Sequence, residues 1–323
     1  MTAQLHILGA GALGTLFAHR AIVVGYEPVL VTRVPDVTRP ADMIRPPEKQ
    51  RVVTLEDGDV RMTHTFPTEA ANAKRPITHL FIATKSYDVL SAIDSVVDRF
   101  TRDTRVAVIS NGLGYHEAVN QRIPSHRLVA GTTTAGCKLL SSSASDGQLT
   151  QRYGVAGAGV TLFGAWQTPL SAGASAIPSW LTPFIDGPWP CEWRDDIHPA
   201  LLMKLAVNAV INPCTALNDV ANGALAEPPW QEQAEQATRE VTQILKAAKQ
   251  TLVADTLAST IDRVIADTAH NTSSMLADIR AKRPTEHEAI LGYLLEQLGP
   301  ATDAPLLTSW LSLLRQRSRD LAL

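Results

Sequence analysis

The 323-residue chain has room for two domains of ordinary size, and its 45% hydrophobic and 19% charged content is that of a soluble globular protein. A formal net charge of −3 gives no electrostatic reason to expect nucleic acid or an acidic membrane surface as a partner. No apolar run of about 18 residues stands out, so no transmembrane helix is expected. The N-terminus passes straight into Leu5-His6-Ile7-Leu8-Gly9, without a basic n-region or cleavage site, so no secretory signal is expected. Cys137, Cys191 and Cys214 are scattered and odd in number, which suits reduced structural thiols of a cytoplasmic protein and neither a disulfide frame nor a metal site. In that compartment the Asn271-Thr272-Ser273 sequon carries no weight.

The first element is a short apolar strand, Gln4 to Leu8. Gly9-Ala10-Gly11-Ala12-Leu13-Gly14 follows at once, then a helix-like run to about Val24. This is G-x-G-x-x-G in its strand–turn–helix setting. The glycines allow a tight turn, close approach of a pyrophosphate to the backbone and close helix–strand packing, and the helix start offers free N–H groups to the phosphates. A second strand runs from Pro28 to Thr32. Where an NAD-binding chain usually carries an acid for the ribose diol, this one has Arg33, with Asp36 further on. A guanidinium there suits the 2′-phosphate of NADP, although a solvated surface arginine explains it as well.

Arg39 to Gln50 is rich in proline and charge and reads as a loop. Val52 to Leu55 and Val60 to Thr63 flank Glu56-Asp57-Gly58-Asp59, a hairpin pattern. Leu80 to Ala83 is a buried strand that delivers Lys85 to its carboxyl end, where open α/β sheets bind ligands. A helix-like run to about Phe100 follows. The strand Val106 to Ile109 likewise delivers Asn111, ahead of Gly112-Leu113-Gly114, where it is also an ordinary turn residue. Leu128 to Ala130 leads into Gly131-Thr132-Thr133-Thr134. Ser141-Ser142-Ser143 reads as loop. The glycine-rich tract Gly147 to Gly164 has β-like patches that suit an antiparallel extension of the sheet. Pro178 to Pro190 has space for one short helix before Cys191-Glu192-Trp193.

After Asp195-Asp196 helical periodicity takes over, and the domain boundary is placed near Arg194: residues 1–194 as an α/β, Rossmann-type dinucleotide-binding domain and 195–323 as an all-α domain. Helices are expected around Lys204, over Gln231 to about Leu252, Leu257 to His270, Met275 to Ala281, Glu286 to Leu298 and Ala304 to Leu321. Within Met203 to Pro213, Lys204, Asn208 and Asn212 recur every fourth residue in an otherwise apolar run, which puts all three on one helix face. Two readings stand. Lys204 snorkels to solvent while the asparagines cap loops, or the stripe lines a cleft with one cation and two amides aimed at a ligand. Pro213 is expected to stop or kink that helix. Thr285 and Glu288 fit a capping box that would leave Glu286 in a first helical turn, and Ser273-Ser274 could simply cap the helix at Met275. The nine histidines are dispersed and no Cys/His cluster appears, so no metal is expected.

The assembled pattern resembles the 2-dehydropantoate 2-reductase (ketopantoate reductase) family. The resemblance spans most of the chain, through Gly9 to Gly14, Arg33-Val34-Pro35, Lys85, Asn111 to Gly114, Gly131 to Thr134, Lys204 to Asn208 with Asn212-Pro213, Asn222-Gly223, and Ser273 to Ile279 followed by Thr285-Glu286. The tract from Lys138 to Gln151 resembles the family less. The resemblance implies a Rossmann domain, a helical domain and a cleft between them, and the NADPH-dependent reduction of 2-dehydropantoate to (R)-pantoate on the way to pantothenate. It carries the general-acid role to Lys204 and a supporting carboxylate role to Glu286. Asn111, Asn208, Asn212, Asn222 and Ser274 match substrate positions; Gly9, Ala10, Gly11, Ala12, Leu13, Gly14, Arg33, Lys85 and Asn111 match cofactor positions. The chemistry agrees with the stripe: as hydride reaches the keto carbon, charge builds on its oxygen, and an ammonium can stabilise it and deliver a proton. Two other readings remain open, a reductase of another small 2-oxo acid and a non-catalytic NADP(H)-binding sensor. The long C-terminal helices could pair two copies into a homodimer or close the core of one.

Overall fold

The structure, a computed structural model, describes residues 3–32, 50–145, 148–157, 159–166 and 176–321. The chain divides into two compact units, one of Met1–Ser110 with His116–Ile197 and one of Asn111–Tyr115 with His198–Leu323. The segment Asn111–Tyr115 therefore groups with the helical unit, although a single boundary near Arg194 would leave it in the first.

Unit 1 is built on one sheet. Its strands are β1 (Gln4–Leu8), β2 (Glu27–Thr32), β3 (Gln50–Asp57), β4 (Val60–Ala70), β5 (Ile77–Ile82), β6 (Phe100–Val108), β7 (Leu128–Thr133), β8 (Gly136–Ser145), β9 (Gln148–Gly157), β10 (Thr161–Ala165) and β11 (Cys191–Trp193). Their order is β11-β10-β7-β6-β5-β1-β2-β4-β3-β9-β8. From β7 through β6, β5, β1 and β2 to the end of β4 every pairing is parallel. This is the Rossmann-like centre. β1, β2 and β5 are buried over most of their length, as apolar runs in a sheet covered on both faces should be. Helix α1 (Ala12–Val23) returns the chain from β1 to β2 and packs Leu16, Phe17, Ala18 and Ala21 into the core. The remaining α-helices among the described residues of the unit are short: α2 (Val89–Asp94), α3 (His116–Arg122) and α4 (Thr182–Ile185).

Three details differ from expectation. The hairpin exists, with Gly58 at φ +57° in its turn, but its second strand runs on to Ala70 and joins β2. The helix expected up to Phe100 stops at Asp94, and Phe100 already opens β6. Ser141-Ser142-Ser143 is strand, not loop, because it pairs antiparallel with Thr150-Gln151-Arg152. Cross-strand pairing here overrides a weak local preference.

Unit 2 is helical: α5 (His198–Asn218), α6 (Trp230–Ala247), α7 (Thr251–Asp267), α8 (Ser274–Arg280), a π-helix over Glu288–Leu298, and α9 (Pro305–Leu321). α5 is central, with α6, α7, α8, the π-helix and α9 packed against it. Apolar side chains on most sides of α5 are buried, as the run from Leu205 to Ile211 requires. By length and composition α5 could cross a membrane, which corrects the expectation of no such run. Yet 72% of its apolar window is buried inside the protein, the position of a core helix.

Pro213 does not stop α5, which continues to Asn218. The proline withholds an N–H from Ala209, while the surrounding packing and the Thr215 hydroxyl, bonded to Ile211 O at 2.8 Å, carry the helix past it. The long helix expected to reach Leu252 ends instead at Ala247. Lys249 takes φ +60°, and the Gln250 N–H closes on Leu245 O at 2.8 Å, a left-handed helix stop supplied without glycine.

Candidate functional site

The glycine turn sits at the carboxyl end of β1. Gly9 has φ +98°, and a Cβ there would lie 2.6 Å from Thr84 N. At Gly14 a Cβ would lie 2.1 Å from Gly9 O, so this glycine lets α1 start tight against the turn. Gly11 is different: among the described residues a Cβ there would meet nothing within 4 Å. Two glycines are thus required by the fold, and the third faces open space, where a pyrophosphate needs a backbone without a side chain. α1 begins with no side-chain cap and no acidic residue in its first turn. Its first N–H groups, including those of Ala12 and Leu13, therefore remain available to an anion. These features fit a dinucleotide phosphate.

Lys85 follows β5 on the same edge of the sheet. The Ala83 N–H bonds Leu8 O at 2.9 Å, and the Ser110 hydroxyl bonds Thr84 O at 2.8 Å, so the ends of β1, β5 and β6 are tied side by side. Lys85 is half-buried and precedes one 3-10 turn, Ser86–Asp88. Arg33 lies outside the described residues. One residue near the turn was missed: Arg51 of β3 donates from Nη1 to Ala10 O at 2.8 Å. Its signal was present in the alternation of β3, where Arg51, Val53 and Leu55 take the buried positions.

In unit 2 the structure brings Asn111, Lys204 and Glu286 together. The Asn111 side-chain N–H donates to Glu286 Oε2 at 3.1 Å, and Glu286 is only 5% exposed. Gly112 permits this approach. It has φ +78°, a Cβ there would lie 2.5 Å from Ala289 O, and that carbonyl accepts the Leu113 N–H at 2.9 Å. Lys204 is half-buried on α5. Burial of its ammonium lowers its pKa to about 8, and the charge of Glu286 opposes that fall. Desolvation thus outweighs the carboxylate, leaving an ammonium that can release a proton near neutrality.

The expected capping box does not form. The Thr285 hydroxyl is bonded with His287 Nδ1 at 2.8 Å, and the Glu288 carboxylate takes the Arg315 guanidinium at 2.7 and 2.8 Å. Glu286 precedes the helical segment, so the first-turn explanation for it falls away.

The other predicted positions divide. Asn208 is half-buried and Asn212 buried, four and eight residues after Lys204 on α5. Asn222 is buried, its Nδ2 bonded to Thr268 Oγ1 at 2.9 Å, while its Oδ1 has no partner among the described residues. Ser274 is exposed at the start of α8, which packs on α5. The capping is done by Ser273, whose hydroxyl oxygen accepts the Leu276 N–H and is hydrogen-bonded with the Thr215 hydroxyl. No cluster of histidine, cysteine, aspartate or glutamate that could hold a metal occurs among the described residues.

The family model described as ketopantoate reductase PanE/ApbA matches residues 5–168, and its C-terminal counterpart matches residues 196–318. The chain belongs to the ketopantoate reductase family. A 2-dehydropantoate 2-reductase of Vibrio cholerae is 30% identical over 300 residues, 92% of each chain. Among solved structures, a PanE/ApbA family ketopantoate reductase from Ralstonia eutropha JMP134 superposes with a TM-score of 0.76 at 19% identity, over 99% of this chain and 100% of that one. A D-mandelate dehydrogenase bound to NADH and anilino(oxo)acetate gives 0.78 at 17% identity, with the same coverage. At those identities the two structures share the fold alone. Membership in a family of ketopantoate reductases makes this chain an oxidoreductase that acts on a small molecule.

Proposed function

We propose that this ketopantoate reductase family member reduces 2-dehydropantoate to (R)-pantoate with NADPH, and that Lys204 is the general acid. The observation that carries the reading is the Lys204 ammonium on α5, drawn down to about pKa 8 by burial and facing the charge of Glu286. When bound, the reduced nicotinamide supplies the hydride. Every other task falls to the chain. The Gly9–Gly14 turn and the start of α1 hold the pyrophosphate, Lys85 adds positive charge at the same sheet edge, and Arg33 grips the 2′-phosphate that separates NADPH from NADH.

Lys204 stabilises the negative charge that grows on the C2 oxygen and gives up a proton from Nζ, leaving a neutral amine to be reprotonated from solvent. Glu286 keeps enough of the lysine protonated at neutral pH and orients it, and Asn111 fixes the Glu286 carboxylate. Asn208, Asn212, Asn222 and Ser274 supply neutral donors and acceptors for the carboxylate and hydroxyl of the substrate. The unpartnered Oδ1 of Asn222 supports a ligand-facing role for that residue.

Reduction of a different small 2-oxo acid is the second reading, favoured by the shared fold with a D-mandelate dehydrogenase. Small pocket changes shift such preferences by only about 1–3 kcal/mol. Steady-state NADPH oxidation with 2-dehydropantoate, pyruvate and 2-oxoisovalerate decides. A kcat/KM highest for 2-dehydropantoate supports the proposal, and a higher value for either competitor overturns it. Dinucleotide binding without turnover of any of the three would favour a sensor.

A further inference from the structure

Arg51 lies at an inward-facing position of β3 and is 8% exposed. A guanidinium withdrawn from water needs strong acceptors, and one of those it has is a main-chain carbonyl of the glycine turn, Ala10 O at 2.8 Å, 41 residues away in the chain. That carbonyl belongs to the same planar peptide unit as the Gly11 N–H. The N–H is itself held, by Gly9 O at 2.8 Å. The unit is therefore pinned at both ends, from within the turn at its nitrogen and from β3 at its oxygen. It leads directly into Gly11, the one glycine of the motif whose Cβ would meet nothing within 4 Å among the described residues. The cation also counters the negative end of a carbonyl dipole at a turn that must accept two phosphates.

We propose that Arg51 is a positioning residue for the pyrophosphate-binding turn and sets affinity for any dinucleotide, whatever its 2′ substituent. The proposal rests on the reading of Gly9–Gly14 as the dinucleotide turn. It separates Arg51 from Arg33: the first acts on the part shared by NADPH, NADH and ADP-ribose, the second on the 2′-phosphate alone.

The test is calorimetric titration of the full chain and of Arg51→Met, Arg51→Gln and Arg51→Lys with NADPH, NADH and ADP-ribose, together with kcat and KM for each. The expected result is a Kd raised about tenfold for all three ligands in Arg51→Met, the scale of one charge-assisted hydrogen bond. Arg51→Lys should recover part of the loss, and kcat at saturating NADPH should stay at the parent value. Should Arg51→Met fail to fold, Arg51→Lys binding all three ligands more tightly than Arg51→Gln supports the proposal, and equal Kd values overturn it. Parent-like binding by Arg51→Met overturns it, as does a loss confined to NADPH, which would make Arg51 a 2′-phosphate contact. A parent chain that binds none of the three ligands removes the dinucleotide reading itself and this proposal with it.

Discussion

The Asn111 amide donates to Glu286 Oε2 at 3.1 Å, joining two residues 175 positions apart. Asn111 leaves the end of a sheet strand, yet it packs with the helical unit because Gly112 and Leu113 dock on Ala289. The bond fixes a buried carboxylate whose charge acts on Lys204.

That charge raises the Lys204 pKa against the larger effect of burial. Glu286→Gln keeps an acceptor for Asn111 and removes the charge, so the lysine pKa should drop below about 8. A general acid works in its protonated form, so activity is present below its pKa and lost as pH rises through it. The alkaline limb of the kcat/KM–pH profile should therefore move to lower pH in the variant. A limb that stays in place removes Glu286 from the charge balance.

Lys204→Ala should lower turnover by about 10²-fold or more, the usual scale for a lost general acid, with little change in cofactor Kd. Lys204→Met tests the cost of burial. Folding lowers the lysine pKa from 10.5 to about 8, so the folded state disfavours the ammonium at neutral pH. The variant should melt above the parent at pH 7, and the gap should narrow between pH 8 and 10.5 as both states of the parent become neutral. A variant that keeps full activity removes the acid assignment, and one that melts lower at pH 7 removes the burial argument.

The glycines make a paired prediction. Gly14→Ala pushes a methyl against Gly9 O and should destabilise the fold, whereas Gly11→Ala meets nothing and should leave the unliganded melting temperature unchanged while weakening NADPH binding. Melting curves with and without NADPH separate the two. Undiminished NADPH binding by Gly11→Ala would show that the pyrophosphate does not approach there.

Arg33→Ala should weaken NADPH and leave NADH nearly untouched, because only NADPH carries the 2′-phosphate. Equal losses for both cofactors, measured by titration, would remove the argument for NADPH over NADH.

Glu240 supplies a purely structural test. Its buried carboxylate accepts the N–H groups of Leu306 and Leu307 at 3.1 and 3.0 Å, capping α9 from α6. Glu240→Ala should cost about 1–3 kcal/mol of stability by leaving those donors unpaired, read as a lower urea midpoint with an unchanged kcat. A loss of kcat without a loss of stability would place Glu240 in the chemistry instead.

Much of this protein was readable from its residues taken in order. The strand–glycine–helix opening, the apolar parallel strands and the helical second half follow from local periodicity and from backbone geometry that only glycine satisfies. The four-residue spacing of Lys204, Asn208 and Asn212 on one helix follows in the same way. Tertiary structure decided what periodicity does not encode. Thr285 and Glu288 match a capping signature, yet His287 and Arg315 take their polar atoms. Ser273, not Ser274, caps α8, because Thr215 meets it from α5. Ser141 to Ser143 became strand through a partner, and Pro213 stayed helical through packing. The Asn111–Glu286 bond and the grip of Arg51 on Ala10 join residues far apart in the chain. The physical reason is the same in each case. Local preferences are worth about 1 kcal/mol or less, with a proline inside a helix near 3, and a buried polar group left unpaired costs as much or more, so the partner the fold brings close determines the outcome.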